Sequence, residues 1–502
     1  MSAARLPLSE IVVVGRDADL WLAALALRRA LGRSGPRITA VELPSTAPKS
    51  AVAACLPQLT ALHDKLGLTE APLVAATQAS YTHGQAFVGR GVDWQPFFHA
   101  WAPFEWPAGG LPFFPCWLKA RAAGLDARLE EFCLPAVAAR QGRVVVAPDA
   151  DAERGPSHAG LHIDSARYAA YLKSAARTLG LPIVEAGSIT VERRADAISA
   201  VRVEGSGARV EGELFVDATG ADALLIGELR GGDSMDERRD SGVDRILTAR
   251  APRFKRLPPL SEVRVGPSGW TALHPTPAYT AVTHAYSSEL TSDEEATQHA
   301  SAAAEVALAD VETRPHRIGV RREPWRGNCV AVGAAACALD PIHDAAALVL
   351  QLGVVHLLTL LPDTSACEAE RAEFNRILGS SLARLRDFQA AFYRLAPVGG
   401  TFWEAGRAGA PSPELDFKVT AFEARGLFAP MEDDVFPAES WQAMLTGFGL
   451  RPQGLPPIVA GAAMEPIATE LAQQRRRVRE AVRRLPEHEE YLRRQAASGR
   501  AR

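Results

Sequence analysis

Hydrophobic and polar residues along this chain follow two periods, which predict strands and helices in alternation. Four apolar residues, Ile11 to Val14, predict a buried strand, and Gly15 predicts the turn that follows it. The apolar positions of residues 20–31 predict a helix, and Arg37–Glu42 (RITAVE) predicts a second parallel strand that ends in an acidic residue. Strands separated by helices at this spacing indicate a parallel α/β sheet.

Later segments extend the pattern. Residues 161–186 predict a helix followed by a strand, residues 187–220 predict a hairpin-like region, and residues 328–361 predict a strand, a turn and a long apolar helix. Residues 260–290 alternate in polarity and carry β-branched and aromatic side chains, which favours an antiparallel sheet. From about residue 364 onward the patterns are helical.

The change of pattern near residue 360 predicts two modules. We expect an α/β module over residues 1–360, which includes the antiparallel sheet and carries insertions at about 75–155 and 235–315. A mainly helical module is expected over residues 361–502.

Composition places the chain among ordinary globular proteins. It has 502 residues, of which 47% are hydrophobic and 23% are charged, and its formal net charge is -4. This charge argues against a nucleic-acid partner, and the basic run at 475–479 predicts a solvated helix face. The chain shows no apolar run near the ~20 residues of a membrane span and no N-terminal signal-peptide pattern. We expect a cytoplasmic protein with no membrane partner.

The six cysteines predict neither a metal site nor a disulfide framework. None forms a C-x-x-C pair, and their spacings suit no zinc module. They are expected to be reduced, mostly buried thiols, so no metal is predicted.

The turn after the first strand lies between a strand and a helix, as a dinucleotide-binding motif does, but it lacks the second and third glycines of that motif. A G-x-G-x-x-G turn holds a diphosphate at the N-terminus of the following helix. Here Asp17 stands at the second glycine position and Leu20 at the third. Asp17 and Asp19 place carboxylates where a diphosphate would lie, and two like charges 4 Å apart repel by roughly 4 kcal/mol at an effective dielectric of about 20. The sequence therefore predicts a nucleotide-binding scaffold in which carboxylates at the diphosphate position would repel the diphosphate.

Several blocks spread over the chain carry a family resemblance. The residues from Gly15 to Trp21 stand where the family has G-x-G-x-x-G-W, FVDATG (215–220) is similar to its D-A/C-T/S-G turn, and HAYSSELTSDEEA (284–296) is similar to its Y-S-S-E-F-x-S-D-E-E-A block. Further matching blocks are GLHIDSARYAAYLKSAARTLG (160–180), the segment 319–351, FW at 402–403 and SWQAMLTGFGLRP (440–452). On these motifs the chain resembles the flavin-dependent tryptophan halogenases, which are relatives of the class A flavin monooxygenases.

The resemblance implies a flavin monooxygenase-like nucleotide-binding α/β module, an antiparallel substrate-side sheet and a mostly helical C-terminal module. It implies FAD as the cofactor, with binding positions at Gly15, Glu42, Asp217, Gly220, Gly333, Asp340 and Pro341. It places the substrate pocket at Thr82, Trp270, His274, His343 and Trp403.

The chain departs from the family pattern at the positions that carry its chemistry. The family lysine position is Thr82, and a hydroxyl cannot replace an ammonium that donates a charged hydrogen bond. The family glutamate position is His343, so no catalytic residue is predicted. Further departures are Val52 for a glycine of the flavin-contact loop, Ala272 for the second tryptophan of W-x-W-x-I-P, Cys337 for a glycine near the flavin, and Asp344 and Ala345 at the halide region.

These observations leave alternative functions open. The first is a halogenase-like protein with weak or absent FAD binding, which acts as a non-catalytic binding or partner subunit for an aromatic small molecule, a peptide, another protein or a second copy of itself. The alternative is an active flavin-dependent monooxygenase or halogenase that acts on an aromatic substrate with altered active-site residues. A third interpretation is cofactor-free ligand binding, for which the candidate lining residues are Trp101, Trp106, Phe97, Phe98, Phe104, Trp403 and Tyr393.

Overall fold

A computed structural model describes residues 8–89, 94–104, 106, 110–146, 158–231, 235–236, 241–363 and 367–500. The chain divides into two compact units. Unit 1 comprises Met1–Leu68, Ile163–Arg238 and Arg317–Ala383; unit 2 comprises Thr69–His162, Arg239–His316 and Arg384–Arg502.

The strands are, in chain order, β1 (Glu10–Gly15), β2 (Arg37–Glu42), β3 (Val52–Cys55), β4 (Ser80–Thr82), β5 (Gly84–Gly89), β6 (Phe97–Ala100), β7 (Gly160–Asp164), β8 (Ile183–Glu185), β9 (Ile189–Arg194), β10 (Ala197–Val203), β11 (Arg209–Glu211), β12 (Leu214–Ala218), β13 (Met235–Asp236), β14 (Arg245–Ala251), β15 (Ser261–Gly266), β16 (Gly269–Pro275), β17 (Thr280–Tyr286), β18 (Ala309–Pro315), β19 (Gly319–Arg321), β20 (Trp325–Arg326), β21 (Cys329–Ala331) and β22 (Cys337–Ala338).

The α-helices are, in chain order, α1 (Asp17–Leu31), α2 (Pro57–Lys65), α3 (Glu70–Thr77), α4 (Phe113–Ala122), α5 (Leu134–Arg140), α6 (Ser165–Thr178), α7 (Asp293–Ala304), α8 (Ala346–Thr359), α9 (Glu368–Leu395), α10 (Thr401–Ala408), α11 (Pro413–Arg425), α12 (Ala438–Gly447), α13 (Pro457–Ala460), α14 (Met464–Arg484) and α15 (His488–Arg500). Short 3₁₀ helices cover Leu129–Phe132, Gly220–Asp222, Ile226–Glu228, Gly333–Ala335 and Pro341–His343.

Unit 1 is built on a six-stranded sheet with the order β20-β21-β12-β1-β2-β8. β1 pairs in parallel with both β2 and β12, β12 pairs in parallel with β21, and β2 pairs in parallel with β8. Only the two-residue edge strand β20 runs antiparallel to its neighbour. The predicted α/β sheet with β1 at its centre is therefore confirmed.

Helix α1 is the most deeply buried helical segment of unit 1. Its residues from Leu20 to Leu27 are all buried, and α1 packs against α6 and α8. Leucine and alanine have high helix propensities. Apolar residues occur on every side of α1, as expected for a helix that is buried on several faces. This packing fixes the N-terminus of α1 at the carboxyl end of β1, where a dinucleotide-binding fold places its ligand.

Unit 2 is built on a seven-stranded sheet with the order β18-β14-β17-β16-β15-β5-β6. The pairing is antiparallel except between β15 and β5. The antiparallel sheet predicted for residues 260–290 is confirmed as β15, β16 and β17. Helix α7 covers one side of this sheet with buried alanines against Leu247, Val282 and Tyr286.

The grouping of these elements differs from the sequence expectation. Residues 75–155 and 235–315, apart from 235–238, fall in unit 2 together with the helices that follow residue 384. The antiparallel sheet therefore belongs with the helical module rather than with the nucleotide-binding-like sheet, because its edge strand β6 packs against α12. All six cysteines are buried thiols. Within the described ranges, we find no helix that combines the length and the apolar character needed to cross a membrane.

Candidate functional site

Gly15 allows the first strand to approach its neighbour closely. Gly15 lies opposite Ala218 in the parallel pair of β1 and β12. A Cβ atom at Gly15 would lie 2.5 Å from the carbonyl oxygen of Ala218, a separation that real side chains do not tolerate. The glycine at this predicted cofactor position is therefore also required by the packing of the sheet.

We expect Gly15→Ala to destabilise the protein by about 3 kcal/mol, because the added methyl group must push two strands of a close-packed sheet apart. Thermal unfolding followed by circular dichroism measures the change. Gly187→Ala is the matched control, since a Cβ there would meet no atom within 4 Å. Equal melting temperatures for the two variants would contradict the close approach.

Asp17 adopts the backbone conformation for which the motif uses glycine. Its φ is +50°, in the left-handed region that few residues other than glycine enter. Asp17 and Asp19 both lie in the first turn of α1, where carboxylates interact favourably with the positive end of the helix dipole. The turn thus keeps the shape of a diphosphate-binding loop, and its own carboxylates lie at the positive end of the helix dipole.

The carboxylate of Asp19 lies against the loop that follows β21. Gly333 in this loop has a φ of +57°, and a Cβ atom on Gly333 would lie 2.6 Å from Oδ2 of Asp19. Asp19 retains some solvent contact, but the protein around its carboxyl group, and then the charge of Asp17, raise its pKa to about 7. At neutral pH the first turn of α1 therefore carries between one and two negative charges.

The guanidinium of Arg16 donates hydrogen bonds to the surrounding loops. Its Nη1 donates to the carbonyl of Pro44 at 2.8 Å, its Nη2 donates to Oδ2 of Asp222 at 3.1 Å, and its Nε donates to the carbonyl of Thr219 at 3.4 Å. Only 14% of the side chain is exposed. Arg16 therefore fastens the turn to the ends of β2 and β12, and its donors are already engaged.

Glu42, which the resemblance implies as the ribose-binding acid, forms an ion pair instead. Nζ of Lys173 on α6 lies 2.5 Å from Oε2 of Glu42 and 2.8 Å from Oε1 of Glu185 on β8. A ribose hydroxyl would have to compete with this ammonium for the carboxylate of Glu42. Sequence analysis missed both Lys173 and Arg16, although each lies within a block that carries the family resemblance.

Asp217 holds its own loop together. Oδ1 accepts hydrogen bonds from the backbone N–H and the hydroxyl of Thr219 at 3.0 and 2.7 Å, and Oδ2 accepts from the N–H groups of Leu225 and Ile226 at 2.9 Å each. Asp217 thus orders the backbone that presents Gly220, whose φ is +77° and beside which a Cβ would meet no other atom. Asp217, which the resemblance implies as a cofactor-binding residue, has this positioning role in the structure.

The segment after β22 carries two further predicted cofactor positions. Asp340 caps the 3₁₀ helix that begins at Pro341, because its Oδ1 accepts from the N–H of Ile342 at 3.0 Å. His343 is buried and Asp344 follows in the left-handed region at φ +56°. Burial, and then the charge of Asp344, raise the pKa of the Cys55 thiol. The segment that the resemblance aligns with the halide region therefore contains a buried acidic side chain, Asp344.

Thr82, at the family lysine position, is buried in β4 within unit 2. Its hydroxyl donates to the carbonyl of Gly84 at 3.2 Å. The neighbouring His83 donates from Nδ1 to the carbonyl of His158 at 3.3 Å and accepts at Nε2 from the N–H of Val145 at 3.1 Å. Burial lowers the pKa of His83 to about 4. The imidazole is neutral and structural, so neither residue supplies the missing cation.

Trp270 and Trp403 meet through a shared partner. The indole N–H of Trp270 donates to the hydroxyl of Tyr393 at 2.7 Å, and the ring of Tyr393 stacks on Trp403 with centroids 5.7 Å apart. The indole N–H of Trp403 donates to the carbonyl of Gly266 at 2.8 Å. These aromatics attach α9 and α10 to the sheet, and both indole side chains are buried.

His274 lies at the far end of β16 from Trp270. The two residues face the same side of the sheet but are separated by four residues, or roughly 13 Å. The ring of His274 meets the ring of His162 edge-on at 5.1 Å, and the carbonyl of Pro275 accepts from Oγ of Ser80 at 2.5 Å. The predicted pocket positions of unit 2 therefore form two groups, Trp270 with Trp403 and His274 beside β4. His343 belongs to unit 1.

Comparison with known proteins places this chain in a family. A family model for tryptophan halogenase matches residues 10–464. Tryptophan 7-halogenase RebH of Lentzea aerocolonigenes is 25% identical, over 97% of this chain and 99% of the relative. Tryptophan 6-halogenase ThaL of Streptomyces albogriseolus is 26% identical, over 90% of this chain and 91% of the relative.

Solved structures agree with the sequence relatives. A flavin-dependent halogenase from Xanthomonas campestris superimposes with a TM-score of 0.91 at 27% identity, covering 98% of this chain and 99% of that structure. A flavin-dependent halogenase from Brevundimonas sp. BAL3 gives a TM-score of 0.88 at 26% identity, covering 97% and 98%. The predicted fold and resemblance are confirmed, and the chain belongs to the tryptophan halogenase family.

Proposed function

We propose that this flavin-dependent tryptophan halogenase-like protein has lost halogenase chemistry and tight FAD binding, and acts as a non-catalytic binding or partner subunit. Its partner would be an aromatic small molecule, a peptide, another protein or a second copy. The observation that carries the proposal is the carboxylate pair of α1, with Asp19 against Gly333. A dinucleotide-binding fold holds its diphosphate at this helix N-terminus, beyond the carboxyl ends of the strands.

The residues at this helix end do not fit the diphosphate of FAD. Each carboxylate opposes each phosphate charge by roughly 3 kcal/mol at a separation of 5 Å and an effective dielectric of about 20. Asp19 also contacts Gly333, so a ligand in this space must displace it. The one cation of the turn, Arg16, is engaged with Pro44 and Asp222. We derive no reaction step through FAD for this chain.

Loss of the halogenation chemistry is supported by Thr82. The hydroxyl is buried, uncharged and bonded to Gly84, so it offers no ammonium for a charged hydrogen bond or for covalent capture of an electrophile. His83 stays neutral because burial lowers its pKa to about 4 and its Nε2 accepts from the N–H of Val145.

An active flavin-dependent monooxygenase or halogenase is the alternative. It is favoured by Gly220 and Gly333, which keep the positive φ values of a loop shaped for close approach of a ligand. In that case the enzyme would bind reduced flavin weakly and would act on an aromatic substrate.

A flavin titration separates the two functions. We expect the purified chain to show no flavin absorbance between about 350 and 500 nm, and about 1 mM FAD to leave its melting temperature unchanged, since a ligand stabilises only when its concentration exceeds its Kd. The tryptophan 7-halogenase RebH is the positive control in the same buffer. A yellow protein with stoichiometric flavin, or a rise of several degrees with FAD, would support the active enzyme instead.

A further inference from the structure

Unit 2 contains a cavity beside its edge strand β6. It encloses about 340 Å³ between the edge strand β6, helix α4, helix α12 and the 3₁₀ helix Leu129–Phe132. Small-molecule sites occupy about 300 to 1,000 Å³. Phe98 and Ala100 of β6 line the cavity. His99 between them faces Phe388 and Phe436, and the centroid of its ring lies 5.6 and 5.9 Å from the centroids of theirs. Phe97 also lines the cavity, and because alternate residues of a strand face opposite sides, the cavity extends around the edge strand to both faces of β6.

The walls of the cavity are rigid and are kept apart by small residues. Phe97 lies so close to the end of α12 that a Cβ atom on Gly447 would fall 2.4 Å from its ring. The indole N–H of Trp94 donates to the carbonyl of Gly447 at 3.1 Å, which fixes the same corner. Ala443, one turn earlier on the same face of α12, and Ala100 leave the interior space open.

Most charged groups around the cavity are already paired. Arg121 donates to the carbonyl of Leu125 at 2.8 Å and lies 3.8 Å from the exposed carboxylate of Asp126. Glu130 pairs with Arg140 at 2.8 Å. These groups therefore shape the rim without offering a free binding function.

Two further charged side chains, Glu439 and Arg451, line the cavity. Within the described part of the chain, neither Glu439 at the start of α12 nor Arg451 after its end makes a hydrogen bond or an ion pair. A planar guanidinium binds a carboxylate through two parallel hydrogen bonds, and a carboxylate accepts from a hydroxyl or an N–H group. The aromatic side chains that line the same cavity, among them Phe98 and Trp117, provide an aromatic floor for a planar ring.

We propose that this cavity binds an aromatic carboxylate that carries a hydrogen-bond donor at its other end, such as a phenolic acid. Arg451 binds the carboxylate, the ring lies on the aromatic floor, and Glu439 accepts from the donor. The site is independent of FAD and of the residues at the family lysine and glutamate positions.

Isothermal titration of the full-length protein with three probes tests the assignment. We expect 4-hydroxyphenylacetate to bind with one-to-one stoichiometry, and tyrosol, which lacks the carboxylate, to bind about tenfold more weakly or worse, the loss expected for one charged hydrogen bond. Phenylacetate, which lacks the hydroxyl, should be weakened by a smaller factor.

Two variants locate the site. Arg451→Gln should weaken 4-hydroxyphenylacetate by about tenfold while leaving tyrosol unchanged, and Arg476→Gln, at an exposed arginine of α14, should alter neither. Ala443→Phe fills the cavity and should abolish binding of all three probes. Arg451 is exposed, so its variant keeps the fold and gives a result even if Ala443→Phe unfolds. Binding of 4-hydroxyphenylacetate that is absent at about 10 mM, or that survives Arg451→Gln unchanged, overturns the proposal.

Discussion

The double variant Asp17→Gly/Asp19→Ala should bind FAD at least about 100-fold more tightly than the natural chain. Two carboxylates near a diphosphate oppose it by roughly 3 kcal/mol per pair of charges, and each 1.4 kcal/mol is about tenfold in Kd. The variant removes both charges and clears the contact between Asp19 and Gly333. It also places glycine at a residue whose φ is already +50°, so the backbone needs no rearrangement.

Fluorescence quenching of FAD, titrated at pH 8 and at pH 6.5, measures the gain. The affinity of the natural chain should rise as the pH falls, because the carboxyl group of Asp19 has a pKa of about 7 and loses its charge in this range. The double variant should lose this pH dependence. Asp64→Asn/Asp416→Asn, at two exposed acids, is the control that makes the same change in net charge. If the double variant binds FAD no better than this control, the obstruction lies elsewhere, for example at Val52.

The sequence predicted the scaffold of this site well because local signals determine it. The apolar run before Gly15 and the leucine-rich helix after it specify a strand, a turn and a helix, and the turn keeps the positive φ of the missing glycine at Asp17. What a carboxylate contacts depends on distant residues. Glu42 meets Lys173 from a helix 131 positions away, and no periodicity in either segment specifies that pairing.

The predicted substrate pocket shows the same limit. Strand periodicity correctly places Trp270 and His274 on one face of β16, but it does not specify which helix covers each end. The hydroxyl of Tyr393 on α9 accepts a hydrogen bond from the indole N–H of Trp270, whereas His274 lies beside His162. The grouping of the antiparallel sheet with the C-terminal helices rests in the same way on contacts between residues that are distant in sequence.

Acid should unfold this protein through its buried histidines. Burial lowers the pKa of five of them from the ordinary value of 6.5, to about 4 for His63, His83 and His99 and to about 3 for His284 and His488. Two of these rings also show why protonation is incompatible with the fold. Nε2 of His83 accepts from the N–H of Val145, and Nε2 of His488 accepts from the N–H of Tyr81 at 3.1 Å. A proton on either nitrogen would turn it from an acceptor into a donor. It would then face the backbone N–H group that donates to it in the folded protein, and the hydrogen bond would be lost.

The sign of the effect follows from proton uptake. Between pH 6.5 and about 4 the unfolded histidines bind protons and the folded ones do not, so the stability is fully present above pH 6.5 and is lost as the pH falls. Asp19 acts in the opposite direction, because its pKa is raised and the folded state binds its proton below pH 7. One carboxyl group offsets about one of the five histidines, so a net uptake of roughly three to four protons on unfolding is expected near pH 5.5.

Urea unfolding at a series of pH values from 8 to 5 measures this uptake as the slope of the unfolding free energy against pH. Each histidine contributes on the order of 3 kcal/mol over the whole range, which is large against a total stability of about 5 to 15 kcal/mol. His99→Phe keeps an aromatic ring against Phe388 and Phe436 and should lower the slope by about one proton. His299→Asn, at an exposed histidine of α7, should leave it unchanged. A flat stability profile between pH 7.5 and 5 would mean that these rings are hydrated or already charged in the folded protein.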